Sequence, residues 1–473
     1  MKGVYTAAEV RAAEDAAMRT VPPRALMQRA AFALATECTR LLGRVYGARV
    51  VLLVGGGNNG GDALYAGAGL ARRGAKVVAL LAAGSHHEEG LAALRAAGGR
   101  AAGPDPALIN GADLVVDGLL GIGGAGALRS PAAELAAAAA DHLTVAVDLP
   151  SGVDADTRAV AGNAVRADVT VTFGCLKPGT VLASSADCGD VHLADIGLVL
   201  PEARTRVLEA TDVQAVLPVP GAQDDKFTRG VVGVVAGSPL YPGAGVLATG
   251  SALHGGAGFV RYLGRAPEAV LARYPEVVVH RDKRPLEVRV QAWVVGPGLG
   301  TDQAGTDLLT DVLASDVPVL VDADGITQLA ARPYLLDGRT APTVVTPHDR
   351  EFARLFPSAA DLLATDRLAA ARKAAARRGV TVLLKGNATI VATPEGAVYV
   401  NPTGTPWLGT AGSGDVLSGL IGSLLASGLP VELAAAAGAY VHGVAGQIAA
   451  ADGPPSASDV LGALRPALSR ILM

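Results

Sequence analysis

A two-domain α/β architecture, each domain a mostly parallel sheet with helices on both faces, is the fold this sequence predicts. Three observations carry it. Short β-rich runs alternate with Ala-rich stretches of helical length along most of the chain, the pattern of parallel strands joined by crossover helices. The 473 residues exceed the roughly 100–200 of an ordinary domain. The alternation lapses around 201–225, where Pro218, Pro220, Gly221 and the charged run Asp224-Asp225-Lys226 replace regular periodicity. The boundary is therefore placed at 209/210, giving domains 1–209 and 210–473.

Residues 6–42 carry apolar positions at helical spacing and are broken by Pro22 and Pro23, which predicts two helices. Residues 50–54 form a continuous β-rich run, followed by the glycine loop Gly55-Gly56-Gly57-Asn58-Asn59-Gly60-Gly61-Asp62 and a helix to Arg73. Further buried strands are predicted at 77–81, 114–116, 145–147 and 169–173. A second series follows at 231–236, 292–295, 317–321, 343–346, 380–384 and 389–392. The greasy stretch at 419–429 is interrupted by Gly422, Ser423 and Gly428 and falls short of the roughly 20 residues of a membrane span. It predicts a buried helix.

Composition narrows the partners. Half the residues are hydrophobic and the formal charge is -4, so no basic field is available to hold a nucleic acid polymer, and a small-molecule partner is expected. Cys38, Cys175 and Cys188 are widely spaced and odd in number, which suits a reducing cytoplasm better than a disulfide framework. Glu9, Arg11, Glu14 and Asp15 stand where an export signal would need an apolar run. A cytoplasmic protein with no membrane partner is expected.

The most specific segment is Gly404-Thr405-Pro406-Trp407-Leu408-Gly409-Thr410-Ala411-Gly412-Ser413-Gly414-Asp415, which runs into an apolar helix. A glycine loop opening a helix points free backbone N–H groups at an anion, and the helix dipole favours negative charge there. Asp415 in the first turn is placed to take a proton from a hydroxyl as it is phosphorylated. A carboxylate there is also a common helix cap. Three more motifs follow strands: Lys385-Gly386-Asn387-Ala388-Thr389, Gly296-Pro297-Gly298-Leu299-Gly300 and Asp322-Ala323-Asp324-Gly325. In an open parallel sheet such strand ends converge on one ligand crevice.

Ala411-Gly412-Ser413-Gly414-Asp415 resembles the catalytic signature of the ribokinase-like superfamily. With Thr346-Pro347-His348-Asp349-Arg350-Glu351-Phe352, Gly298, Asp322-Ala323-Asp324 and Lys385 to Thr389, the resemblance narrows to the NAD(P)H-hydrate dehydratases over most of 210–473. It implies a ribokinase-like α/β domain that phosphorylates the 6-hydroxyl of hydrated NADH or NADPH and then expels phosphate, with ADP as co-substrate and Mg2+ as cofactor. Asp415 is then the catalytic base. Lys385, Gly386, Asn387, Ala388, Thr389 and Gly414 hold the nucleotide, and Ala244, Gly298, His348 and Asp415 line the hydrate site. Taken alone, His348 after Pro347 also reads as a turn histidine. A small-molecule kinase remains the alternative activity.

In the N-terminal half, Asn58-Asn59-Gly60-Gly61-Asp62 lacks the spaced dinucleotide fingerprint. Its amides can ligate a hard cation, and its glycines admit close approach to phosphates. Asp117-Gly118-Leu119-Leu120-Gly121-Ile122-Gly123-Gly124-Ala125-Gly126-Ala127, Asp148-Leu149-Pro150-Ser151 and Lys177-Pro178-Gly179 are further loop motifs. Together they resemble the NAD(P)H-hydrate epimerases over 1 to about 205, with Ala63 and Ala31 standing where that family has glycine. The implied fold is a Rossmann-like three-layer α/β/α sandwich. Asn58 to Asp62, Gly121 to Ala127 (Gly121, Ile122, Gly123, Gly124, Ala125, Gly126 and Ala127) and Asp148 bind the hydrate, and Asn59, Asp117 and Ser151 coordinate K+. Asp148 is the candidate acid–base group. A non-catalytic binding module is the alternative. The resemblance also carries an expected homo-oligomer.

Overall fold

The structure is a computed structural model that describes the whole chain except Pro23, Ala125, Ala183 and Ser184, together with the side chains of Ser185 and Ala186. The chain divides into two compact units, Lys2–Ala203 and Arg204–Met473, the latter with Met1. The division precedes the 209/210 boundary because the short strand Thr205–Val207 already pairs in parallel with Val398–Asn401. A three-residue strand has too little alternation to be read from sequence.

The N-terminal unit is a parallel sheet in the spatial order Arg100–Ala102, Lys76–Leu81, Arg49–Val54, Leu114–Gly118, Thr144–Val147, Val169–Phe173, Asp190–Ala194. The chain leaves Arg49–Val54 toward one edge, then returns past it to Leu114–Gly118. That reversal opens a crevice at the carboxyl ends of these two strands, where open α/β sheets bind ligands. The central strands are buried on both faces, which explains their uninterrupted Val and Leu. The helices Ala7–Met18 and Ala25–Leu42 flank Pro22, as the sequence predicts, and Thr6 with Glu9 forms a capping box for the first.

In the C-terminal unit the order is Thr205–Val207, Val398–Asn401, Thr389–Ala392, Thr381–Leu384, Thr343–Val345, Val319–Val321, Ala292–Val295, Val231–Val235, Phe259–Tyr262, Val278–Val279. Pairing is parallel except where Thr389–Ala392 meets Thr381–Leu384 and Val398–Asn401. Lys385 to Ala388 is therefore a hairpin turn. The reversal of strand order lies between Val231–Val235 and Ala292–Val295. One core joins this sheet to the helices Pro242–His254, Ser413–Ala426, Val431–Ala449 and Ala457–Leu472. The span Val431–Asp452 is apolar enough by length and composition to cross a bilayer, but 67% of its apolar window is buried inside the protein. Glycine-interrupted 419–429 lies mostly in the buried helix Ser413–Ala426.

Candidate active sites

In the N-terminal crevice the expected glycine loop is shorter than the sequence suggests. Asn58–Arg72 is already helix, so Asn58 to Asp62 form its first turns and only Gly55 to Gly57 make the loop. Gly55 is required because a Cβ there would lie 1.8 Å from Leu119 O. The helix start brings Asn59 to the next strand's loop, where its Nδ2 donates to Leu120 O at 2.8 Å. Ser151 holds the same residue: its Oγ accepts from Leu120 N at 2.9 Å and donates to Asp117 Oδ1 at 2.7 Å. Ser151 N donates to Asp117 Oδ2 at 2.8 Å. The three residues expected to hold a cation thus meet around Leu120.

Asp117 is fully buried, and burial pushes its carboxyl up to about 6, with the Ser151 hydrogen bonds opposing. Its hydrogen-bond partners are all neutral. A buried carboxylate with neutral donors, beside the Asn59 Oδ1, Ser151 Oγ and Leu120 carbonyl oxygens, fits a hard monovalent cation. Leu120, Gly121, Gly124, Gly126, Pro150 and Ser151 line one narrow cleft, which places the Gly121 loop beside this site. Ile122 is half-buried, its side chain packed against the small clusters of Tyr5, Val10 and Leu149 while its carbonyl accepts from Arg11 Nη2 at 3.1 Å. Gly123 and Ala127 lie on the same loop, while Ala125 falls outside the described residues.

A second cluster stands at the ends of Thr144–Val147 and Val169–Phe173. Asp148 adopts φ +66°, a strained conformation for a residue with a Cβ. Its Oδ1 accepts from Lys177 Nζ at 2.5 Å, Thr172 Oγ1 at 3.1 Å and Phe173 N at 3.2 Å. Lys177 is 1% exposed and gives its other two bonds to Thr172 Oγ1 and Phe173 O. Burial, then the charges of Asp148 and Glu14, hold the Asp62 carboxyl well above the usual range, and burial with Asp148 also raises Glu14. The Lys177-Pro178-Gly179 motif was visible in sequence, but not the partner of its lysine. Glu14 gave no signal beyond a charge on a helix.

In the C-terminal unit the loops after Val231–Val235 and Ala292–Val295 are tied together by Gly237 N donating to Pro297 O at 2.7 Å. Gly298 has φ +57°, and a Cβ there would come within 2.6 Å of the Ala244 Cβ, so only glycine lets these two expected site residues touch. Ala244 lies in the first turn of Pro242–His254, whose Leu247 abuts Gly412 at the head of Ser413–Ala426. A side chain at position 414 would stand 3.5 Å from Lys385 Nζ and 3.6 Å from Asp322 Oδ2. The glycine loop, the lysine hairpin and the hydrate-site residues are brought to one crevice.

Asp415 is not the helix cap. The N-cap is Gly412, with no side-chain capping bond, and Asp415 sits in the first turn. Burial foremost, then the charge of Asp322, pushes its carboxyl up to about 7 against the pull of Lys385. Asp322 is 1% exposed and accepts from Lys385 Nζ and from Ser418 Oγ, each at 2.8 Å. Burial works against the Lys385 charge, but Asp322 and Glu351 outweigh it and hold the ammonium above its ordinary range. His348 takes the N-cap position. Its Nδ1 accepts from Arg350 N and Glu351 N as an N-cap, and the Glu351 it caps lies 3.7 Å from Lys385. The hairpin is shaped by Thr389 Oγ1 donating to Gly386 O at 3.2 Å and Arg367 Nη2 donating to Lys385 O at 2.9 Å. Asn387 and Ala388 complete it.

Ser418 and the structural part of Asp322 were not legible, since each partner lies on a different element. Neutral His442, its imidazole pushed down to about 4 by burial, donates from Nε2 to Ser413 O at 3.0 Å and anchors the loop from below. Among the described residues no group of three His, Cys, Asp or Glu could cage a divalent ion. A divalent ion here would need ligands from a bound phosphate as well as from the protein.

Known proteins divide the chain in the same way. Residues 232–462 match the NAD(P)H-hydrate dehydratase family model, and residues 23–179 match that of the YjeF-related protein N-terminus. The bifunctional NAD(P)H-hydrate repair enzyme of Mycobacterium leprae is 50% identical, with all of both chains covered. That of Moorella thermoacetica is 38% identical over 91% of this chain and 89% of its own. A solved Bacillus subtilis ADP/ATP-dependent NAD(P)H-hydrate dehydratase, co-crystallised with ATP/Mg2+, is 30% identical with a TM-score of 0.52. It covers 56% of this chain and 97% of its own.

Proposed function

The chain belongs to the family of bifunctional NAD(P)H-hydrate repair enzymes, and from that premise we propose that its N-terminal unit interconverts the R and S hydrates of NADH and NADPH while its C-terminal unit dehydrates the S form with ADP. The observation that carries this reading is Asp415, a half-buried carboxyl whose pKa is raised to about 7, near Lys385 at a glycine-loop helix start. Ionised, it takes the proton of the ring 6-hydroxyl while that oxygen attacks the β-phosphorus of ADP, and AMP leaves. The C6–O bond then breaks with its electron pair on phosphate, the ring nitrogen supplies the compensating pair, and loss of a C5 proton restores the dihydropyridine. Hydroxide is a poor leaving group, and phosphate is a good one.

Lys385 and the helix N–H groups oppose the charge on the phosphates, while Gly386 to Thr389 and Gly414 frame the nucleotide. Ala244, Gly298 and His348 border the hydrate. A Mg2+ ion brought in with the nucleotide phosphates would supply charge neutralisation for the transfer. In the N-terminal unit Asn58 to Asp62, the Gly121 loop and Asp148 border the hydrate, and Asn59, Asp117 and Ser151 would hold K+, a cation that would offset the buried Asp117 charge. A reducing, cytoplasmic setting accords with three free, buried cysteines.

The test supplies purified protein with mixed R and S hydrate of NADH plus ADP and follows the near-ultraviolet absorbance of regenerated NADH. Full consumption of both epimers is expected, faster than spontaneous epimerisation allows. Regeneration from S alone refutes the epimerase reading, and no regeneration refutes both.

A further inference from the structure

The N-terminal carboxylates are not equivalent. Asp148 spends one oxygen on three donors, one of them a sealed ammonium. Asp62 is 8% exposed, and its Oδ1 has no hydrogen-bond partner. A buried carboxyl without a partner is destabilising unless it is neutral or meets a ligand. Glu14, less buried, faces the same pair. Lys177 is the buried positive charge among three carboxyls, and its hydrogen bonds direct that charge onto Asp148.

We propose that Asp62 and Asp148 are the acid–base pair of epimerisation, Asp148 starting ionised and Asp62 protonated, and that Lys177 is the positioning residue that fixes which is which. The inference rests on the epimerase reading above. C6 of the hydrate is a carbinolamine carbon, bonded to both the hydroxyl and ring N1. Asp148 removes the hydroxyl proton, the oxygen pair forms C6=O, and the C6–N1 bond breaks with its electrons on N1, which takes the proton of Asp62. Delocalisation of the N1 lone pair into the ring carboxamide makes it a competent leaving group. Rotation about C5–C6 turns the aldehyde, N1 re-adds to its other face, the N1 proton returns to Asp62, and the new alkoxide recovers its proton from Asp148. Every atom and electron is restored, and neither water nor an oxidant is consumed.

The experiment uses the full chain with R hydrate alone, coupled to its own dehydratase, and S hydrate alone as the control. Asp62→Asn keeps volume and is expected to lower kcat from the R hydrate by on the order of 10²-fold with little change in KM, while dehydration of S is unaltered. Lys177→Met is expected to lower kcat from the R hydrate with little change in KM, because Asp148 then faces Asp62 and Glu14 without its cation. Arg11, Asp15 and Cys175, which also interact with this cluster, remain as they are. Lys177→Arg should recover much of the loss. Wild-type protein that fails to accelerate use of R refutes the epimerase reading itself. Wild-type activity with Asp62→Asn within threefold of it overturns the pair, and a Lys177→Met variant with kcat within threefold of wild type, or a Lys177→Arg variant that recovers none of the loss, overturns the positioning. If Lys177→Met does not fold, Lys177→Arg and Asp62→Asn still decide.

Discussion

The two units solve one electrostatic problem with similar parts and different access. Each places a lysine against a carboxylate and leaves a second carboxyl nearby with a raised proton affinity: Lys177–Asp148 with Asp62, and Lys385–Asp322 with Asp415. Each also holds a non-glycine residue at positive φ beside the pair, Asp148 at +66° and Ala323 at +51°. The difference lies in the lysine. Lys177 is 1% exposed with its three donors engaged, whereas the Lys385 side chain is 22% exposed and makes one hydrogen bond, to Asp322. A sealed lysine can only order its neighbours. A half-open one can also bind an anion, as a site working on phosphate requires.

The comparison breaks first at Asp415. If that carboxyl is the base, Asp415→Ala lowers ADP-dependent turnover of S hydrate by on the order of 10³-fold, measured as initial rate at saturating ADP. Epimerisation, followed by chromatographic separation of R and S, should be unaffected. Turnover above a tenth of wild type would make Asp415 a spectator. Next comes the open lysine. Lys385→Met removes a charge-assisted contact worth about 1.5–3 kcal/mol, so the KM for ADP should rise roughly 10- to 100-fold. The sealed Lys177 should leave the KM for ADP unchanged when replaced, and an equal effect from both would erase the distinction.

A smaller effect tests what raises the Asp415 proton affinity. Because its folded pKa is lifted from 3.8 to about 7, dehydration should rise with pH through about 7 as the base ionises. Asp322→Asn removes the second-largest cause of the rise and releases Lys385 toward Asp415, so the midpoint should fall below 7 in the kcat profile. The linkage has a definite sign. A carboxyl with a raised folded pKa favours the folded state fully below the unfolded pKa and loses that advantage as pH rises through the folded one. Asp415→Asn should therefore raise the melting temperature relative to wild type above pH 7 and confer no such gain at pH 3.

These two sites were unequally legible in sequence. Asp415 announced itself because loop, helix start and carboxylate are contiguous, and a helix N-terminus is a local object. The same contiguity led to one misreading, since Asn58 to Asp62 look like loop but their glycines are absorbed into the first turns of a helix packed on the crevice. What escaped was pairing across elements. Lys177 meets Asp148 only because two parallel strands end side by side, and Ser418 meets Asp322 only because a helix passes beneath the sheet. Short strands such as Asp190–Ala194, at a sheet edge, and Val398–Asn401, between two neighbours, were missed because their positions are set by a neighbour's register more than by their own pattern.

The smallest effect separates two duties in one residue. His348 is half-exposed, caps Asp349–Leu355 through Nδ1 and, by holding Glu351, borders the charge network of Lys385. His348→Ala loses the cap, about 1 kcal/mol, and any contact to the hydrate as well, so it confounds them. His348→Asn keeps a good N-cap while removing the imidazole. If His348 borders the hydrate, the Asn variant should melt like wild type yet show a several-fold higher KM for S hydrate, with the KM for ADP unchanged. If its duty is the cap alone, the Asn variant should match wild type in both measurements while the Ala variant melts lower, and His348 would then belong to the scaffold of the dehydratase crevice.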